Sequence, residues 1–273
     1  MLKSSKYLLA VGDSFTDSNY KSKQYPDYDC SYDKWPDVLA QKMNISKVVN
    51  LGRSGTSNLY IFDTAIDHIL KNSDKIEMVA IGTTEAWRFS PFNRWDINPL
   101  QIIQPSHLEL PEYMQQSYKS IFAWVKFIWS NLISEKHGEE TIRIFLRDYV
   151  RQVLRVQRLC KKLNIRLIIT SLLGPINWWT INIIAKKYFD TTLPYDHKRV
   201  AAQMLLVEGA YDVDPTSFCG WPCFWEIGGW CCNTDPEWDK LKMEIGPDDG
   251  HPNAAGHIYI ANKLYQHIQK NKL

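Results

Sequence analysis

The chain has 273 residues, enough to bury a sizeable core as one large domain or one domain with elaborations. Its 32 Lys and Arg against 30 Asp and Glu leave a net charge of +2, which makes no electrostatic case for nucleic acid or an anionic membrane as partner. No apolar run approaches the length of a membrane span, and the N-terminal one is too short for a signal peptide. The expected location is therefore the cytoplasm, or a virus or phage particle assembled there.

Tyr7 to Val11 reads as a fully buried strand that ends in the sharp turn Gly12-Asp13-Ser14-Phe15-Thr16. In an open parallel sheet, ligands bind beyond the carboxyl ends of the strands, so Ser14 sits where a nucleophile is useful. A polar loop follows, Asp17 to Asp33, rich in Tyr, Lys and Asp. Trp35 to Lys42 is predicted helical, with Trp35, Val38 and Leu39 on one face. Lys47 to Leu51 is a second strand, ending in Gly52-Arg53-Ser54-Gly55-Thr56-Ser57-Asn58. Ser57 or Asn58 can cap the next helix, Leu59 to Leu70. Lys75 to Ile81 is a third strand, ending in Gly82-Thr83-Thr84-Glu85.

The alternation then stops. Residues 86–138 hold Pro91, Pro99, Pro105 and Pro111 and an aromatic stretch, Tyr118 to Trp129, and read as an insertion with one or two helices. Glu139 to Leu163 is a long helix and Arg166 to Leu172 a fourth strand. A second irregular insertion spans about 174–246, and a helix from about Asn253 to Gln269 closes the chain. Strands alternating with helices predict one α/β domain, a doubly wound parallel sheet carrying two insertions.

Four of the six cysteines, Cys219, Cys223, Cys231 and Cys232, fall in the second insertion. Their spacing suits no common zinc knuckle, and adjacent cysteines point apart in an extended chain, so free thiols packed among Trp are expected and no metal.

An acyl-transfer site needs a nucleophile, a base, a group orienting the base, and donors for the oxyanion. Ser14 is the candidate nucleophile, His251 the base, and Asp248, three residues earlier, its partner. Pro252 and an Asn253 cap would hold His251 at the mouth of the last helix. The amides of Ser14 and Gly55 are candidate oxyanion donors. Taken singly, each is also an ordinary turn residue; Asp248-Asp249-Gly250 is a common turn and Pro-Asn a common helix start.

Jointly, Gly12-Asp13-Ser14-Phe15, Asn50 to Thr56, and Asp248-Asp249-Gly250-His251-Pro252-Asn253 with Gly256-His257 resemble three of the four sequence blocks of the SGNH (GDSL) hydrolase superfamily, in family order. The resemblance implies a flavodoxin-like three-layer α/β/α fold and ester hydrolysis without a metal or other cofactor. Carried over by position, Ser14 is nucleophile and first oxyanion donor, Gly55 second donor, His251 base and Asp248 its partner. The remaining block departs: where the family has Gly-x-Asn-Asp, this chain has Gly82-Thr83-Thr84-Glu85, so Thr84 replaces the third oxyanion donor. A Thr hydroxyl is shorter than the Asn amide, and losing one such donor typically costs on the order of 10²–10³ in rate.

Three functions fit these residues. The first is a serine ester hydrolase, with a carbohydrate ester as the favoured substrate because Trp and Tyr crowd the insertions. The second is a non-catalytic glycan-binding or structural protein of a virion or cell surface, which the Thr84 substitution favours. The third is a phosphate binder using the Gly12–Thr16 turn as an anion cradle, which leaves His251 and Asp248 unexplained.

Overall fold

A computed structural model of the chain describes residues 6–92, 95–97 and 127–273. β1 (Tyr7–Val11), β2 (Val48–Asn50), β3 (Ile76–Thr83), β6 (Arg166–Ser171) and β7 (Phe218–Cys219) form one parallel sheet in the order β2-β1-β3-β6-β7. Counting only these strands, the order is 2-1-3-4-5, that of the flavodoxin-like doubly wound fold. Its direction of winding reverses between β1 and β3, and the crevice for a ligand opens at their carboxyl ends.

Strand alternation sorts the core into two layers. Leu9, Val11, Val79, Ile81, Leu167 and Ile169 face one side, with Ile61, Phe62 and Ile69 of α2 (Asn58–Asn72) and Val150 and Val153 of α3 (Gly138–Leu163). Leu8, Ala10, Met78, Ala80 and Ile168 face the other, with Trp35 and Leu39 of α1 (Trp35–Lys42) and Ile260, Leu264 and Ile268 of α7 (Ala254–Asn271). Both faces of the central strands are dry, which is why they read as continuous apolar runs rather than as alternating ones. Each large side chain so buried contributes about 1.5–3 kcal/mol relative to exposure.

Outside the first insertion, the expected helices and strands are present, with shifts of a few residues. The difference that matters is in β3, which runs two residues beyond the expected end, so that Thr84 is the first residue past the strand. The first insertion begins with a hairpin, β4 (Phe89–Phe92) and β5 (Trp95–Ile97), that the sequence reading lacked. Pro99, Pro105, Pro111 and the aromatic stretch up to residue 126 lie outside the described residues; 127–132 are helical. The second insertion is more regular than expected. It contains α4 (Trp178–Phe189), α5 (His197–Leu205) and the short α6 (Pro236–Lys240). It also supplies the fifth strand of the sheet, β7, whose two residues are too few to show any periodicity. Finally, β8 (Glu244–Gly246) and β9 (Asp249–Pro252) form an antiparallel hairpin leading into α7.

Candidate active site

The turn after β1 is built on its own backbone. The amides of Thr16 and Asp17 bond to the Asp13 carbonyl, and the buried Asp13 carboxylate accepts from the Phe15 amide at 3.0 Å. Gly12 is required: a Cβ there would stand 2.1 Å from Thr16 Oγ1. The loop after β2 is tied to this turn at several points. Asn50 accepts from the Gly52 amide at 2.8 Å and donates to the Thr16 carbonyl at 2.7 Å. The Arg53 amide bonds to the Gly12 carbonyl, and Asp17 accepts from both the amide and hydroxyl of Ser54. Gly55 takes φ +79°, the left-handed region that favours glycine. Among the described residues, neither the Ser14 nor the Gly55 amide has a hydrogen-bond partner.

Ser14 and His251, 237 residues apart, meet here: Ser14 Oγ lies 2.8 Å from His251 Nε2. His251 lies on β9 of the terminal hairpin, two residues before the Asn253 cap of α7. Asn253 caps α7 by accepting from the Gly256 amide, and its amide donates to the Lys242 and Glu244 carbonyls, locking β8 to the helix start.

The partner of the imidazole is Asp249 and not Asp248. Asp249 Oδ1 lies 2.5 Å from His251 Nδ1 and also accepts the His251 amide at 3.1 Å. Asp248 is in the hairpin turn and exposed. The reason is the period of a strand. Side chains alternate in β9, so residues 249 and 251 share a face; a spacing of three would suit an irregular turn, and the chain here is extended. Burial pushes the Asp249 carboxyl up, but hydrogen bonds from Ser22 and His251 and the nearby imidazole outweigh it, and the net direction is down. Asp249 is thus ionised, 2% exposed and in contact with the His251 ring.

Two further residues contact this pair. Tyr20 Oη donates to Asp249 Oδ2 at 2.9 Å, and its ring stacks on the imidazole with centroids 4.1 Å apart. The Phe15 ring lies 5.2 Å from the imidazole, centroid to centroid. Tyr20 lies in the polar loop of residues 17–33 and carried no sequence signal beyond that loop's richness in Tyr.

Thr84 is fully buried beyond the end of β3. Its peptide is clamped by Asn58: the side-chain oxygen accepts the Thr84 amide at 2.9 Å and the nitrogen donates to the Thr84 carbonyl at 2.8 Å. Asn58, read from the sequence only as a possible cap, therefore fixes the strand end, while Ser57 caps α2. Thr84 Oγ1 itself has no hydrogen-bond partner among the described residues. The adjoining Glu85 pairs with Arg88 at 2.8 Å, and Arg88 lies 3.8 Å from Asp13.

His257 is buried, 3% exposed, and its Nδ1 accepts the Trp35 amide at 3.1 Å. Burial, with the charges of Lys34 and His251, pushes its pKa down to about 3. The four thiols of the second insertion are free and buried, and burial pushes Cys219 and Cys231 up to about 12. Among the described residues, no three His, Cys, Asp or Glu side chains converge as metal ligands. Nor is any helix there long and apolar enough to cross a membrane.

A family model, GDSL-like Lipase/Acylhydrolase, matches residues 8–264. A protein of the G-D-S-L family from Desulfitobacterium hafniense is similar in structure, with 14% identity, a TM-score of 0.40, and coverage of 96% of this chain and 99% of that one. A protein from Lactobacillus plantarum gives 14%, 0.43, 98% and 98%, and an acetylxylan esterase from Geobacillus stearothermophilus 14%, 0.40, 98% and 95%. No curated protein sequence gives a match. The family match begins in β1, just before the Ser14 turn, and ends in α7, beyond His251, and on that match the chain belongs to the GDSL-like lipase/acylhydrolase family.

Proposed function

We propose that the chain is a serine ester hydrolase working through an acyl-Ser14 intermediate. The observation that carries this is the 2.8 Å contact between Ser14 Oγ and His251 Nε2, with Asp249 on the other ring nitrogen. Ser14 Oγ attacks the ester carbonyl and His251 Nε2 takes its proton. The carbonyl oxygen gains the negative charge, faced by the Ser14 and Gly55 amides. When the C–O bond to the alcohol breaks, His251 returns the proton to the leaving oxygen. Water then repeats the sequence on the acyl-enzyme, with the acid released and Ser14 restored. Asp249 stays ionised throughout and holds the tautomer in which Nε2 is the acceptor.

An anion cradle at the same turn is disfavoured, since the buried Asp13 carboxylate already takes the Phe15 amide of that turn. A carbohydrate alcohol is supported by a 440 Å³ cleft in the second insertion. Trp178 and Trp225 line it, and Asn177, His197, Glu226 and Asp239 add a mixture of donors and acceptors. Sugar hydroxyls both donate and accept, so a mixed lining suits them.

A fluorophosphonate probe tests the reading. The wild-type protein is expected to be labelled at Ser14 and the folded Ser14→Ala variant not at all. Absence of labelling, with no hydrolysis of nitrophenyl acetate, would return the chain to the non-catalytic reading. A second expected result concerns Thr84. The family's third oxyanion donor is replaced here by a β-branched side chain whose rotamer is limited at a strand end. Thr84→Val should lower kcat by less than tenfold, under about 1.4 kcal/mol in the barrier. A hundredfold fall with an unchanged fold would show that the hydroxyl has taken over the donor's role.

A further inference from the structure

The loop between β1 and α1 lays three tyrosines along the hairpin that carries His251. Tyr25 covers Gly246 at the end of β8, so closely that a Cβ there would stand 2.6 Å from the Tyr25 ring. Tyr20 reaches Asp249 and His251 in the middle of β9. Tyr32 Oη donates to the Pro252 carbonyl at 2.8 Å, at the end of β9. Each contact spans more than 200 residues of sequence, and each falls on a different residue of one short hairpin.

We infer that this loop is a clasp for the catalytic base, and that Tyr20 is a positioning residue: its hydroxyl, donated to Asp249, and its ring, stacked on His251, hold carboxylate and imidazole in one arrangement facing Ser14. The inference rests on the proposed role of His251 as base. A hairpin of three and four residues joined by a two-residue turn is marginal by itself, so its position has to come from neighbours. Three aromatic contacts and the Asn253 bonds supply it. The hydrogen bond also has an electrostatic effect. A donor on the carboxylate spreads its charge and weakens its hold on an imidazolium. Burial, followed by the bond to Asp249, pushes the Tyr20 hydroxyl up, so it remains a donor throughout the working range.

The groups facing the pair are few. From the loop come Tyr20, Ser22 and Tyr32; from the turn after β1, Ser14; from β8, Glu244; from α7, His257, which stays neutral. None of these changes in Tyr20→Phe except the hydroxyl itself, and the ring that stacks on His251 is kept. That hydroxyl lies 2.9 Å from Asp249 Oδ2 and 2.8 Å from His251 Nδ1, so its loss takes one partner from the carboxylate and one from the ring.

The test reads the arrangement directly from the Nδ1–H proton resonance of His251 in the NMR spectrum of the full chain, wild type against Tyr20→Phe, which needs no turnover. It is accompanied by kinetics on nitrophenyl acetate, where kcat should fall about tenfold while KM stays within about twofold. A displaced Nδ1–H resonance supports the clasp even if no ester is turned over, a result that would sink only the hydrolase reading. An unmoved resonance with kcat within about twofold of wild type overturns it. Should Tyr20→Phe fail to fold, 3-fluorotyrosine at position 20 makes the hydroxyl a stronger donor at nearly constant shape. The Nδ1–H resonance should then move as well, and no change would overturn the inference.

Discussion

Asp249→Asn should lower kcat by on the order of 10³–10⁴, while Asp248→Asn stays within about threefold of the wild type. The two carboxylates are adjacent in sequence and opposite in situation. Asp249 is 2% exposed and touches His251 Nδ1; Asp248 is exposed in the turn. An Asn at 249 can offer its NH₂ to Nδ1 as readily as its oxygen. That places the proton on Nε2, where Ser14 Oγ then finds a donor in place of an acceptor, and the nucleophile cannot be deprotonated. An Asn at 248 changes a solvated charge some distance from the ring, and solvent screens it. Steady-state kinetics on nitrophenyl acetate for both variants, with circular dichroism as a check of folding, decide the matter. The reverse order of effects would return the role to Asp248 and show that the hairpin register differs from that described.

The error that this prediction repairs shows where sequence reading runs out. Ser14, Gly55 and His251 stand out because each follows from a local rule: a turn off an apolar strand, a glycine in a tight loop, an imidazole before a helix cap. The choice between Asp248 and Asp249 depends on whether residues 249–252 are extended or irregular. Asp-Gly followed by Pro argues for a turn on local grounds. Pairing with Glu244–Gly246 overrides this, and that pairing is a tertiary fact. Tyr20 is of the same kind, since its contact with Asp249 spans 229 residues and nothing in its own neighbourhood marks it. The sheet was more legible. Its inner strands are buried on both faces, so an apolar run and a Gly-bearing turn suffice to find them, as for Tyr7–Val11 and Ile76–Thr83. Phe218–Cys219 is an edge strand of two residues and leaves no pattern to detect. Asn58 was visible as a helix-start residue, but its use as a clamp on the Thr84 peptide follows only from how α2 meets the end of β3.

Acid should destabilise the fold through His257 before most carboxylates titrate. In the folded chain its pKa is down to about 3, held there by burial first and by the charges of Lys34 and His251 next. In the unfolded chain it is near 6.5. Between these values the unfolded state binds a proton that the folded state refuses, so stability rises with pH across this window and is lost as pH falls through it. The loss is about 1.4 kcal/mol per pH unit, or about 3 kcal/mol by pH 4, a large part of a typical net stability. The cause is geometric: Nδ1 accepts the Trp35 amide, and Trp35 is itself fully buried at the start of α1. Protonating that nitrogen would break the bond and place a charge among Trp35, Tyr32 and the first turn of α7. His257→Asn keeps an acceptor near the same place and cannot titrate. At pH 8 it should be less stable than the wild type, because a smaller side chain leaves unfilled volume. As pH is lowered, the gap should close by about 1.4 kcal/mol per unit below 6.5, and the two urea-unfolding curves should converge or cross near pH 5. The difference between the two proteins isolates this one group, since all carboxylates are common to both. A difference that stays constant from pH 8 to pH 4 would mean that His257 takes up its proton in the folded state, and that the Trp35 contact does not hold it neutral.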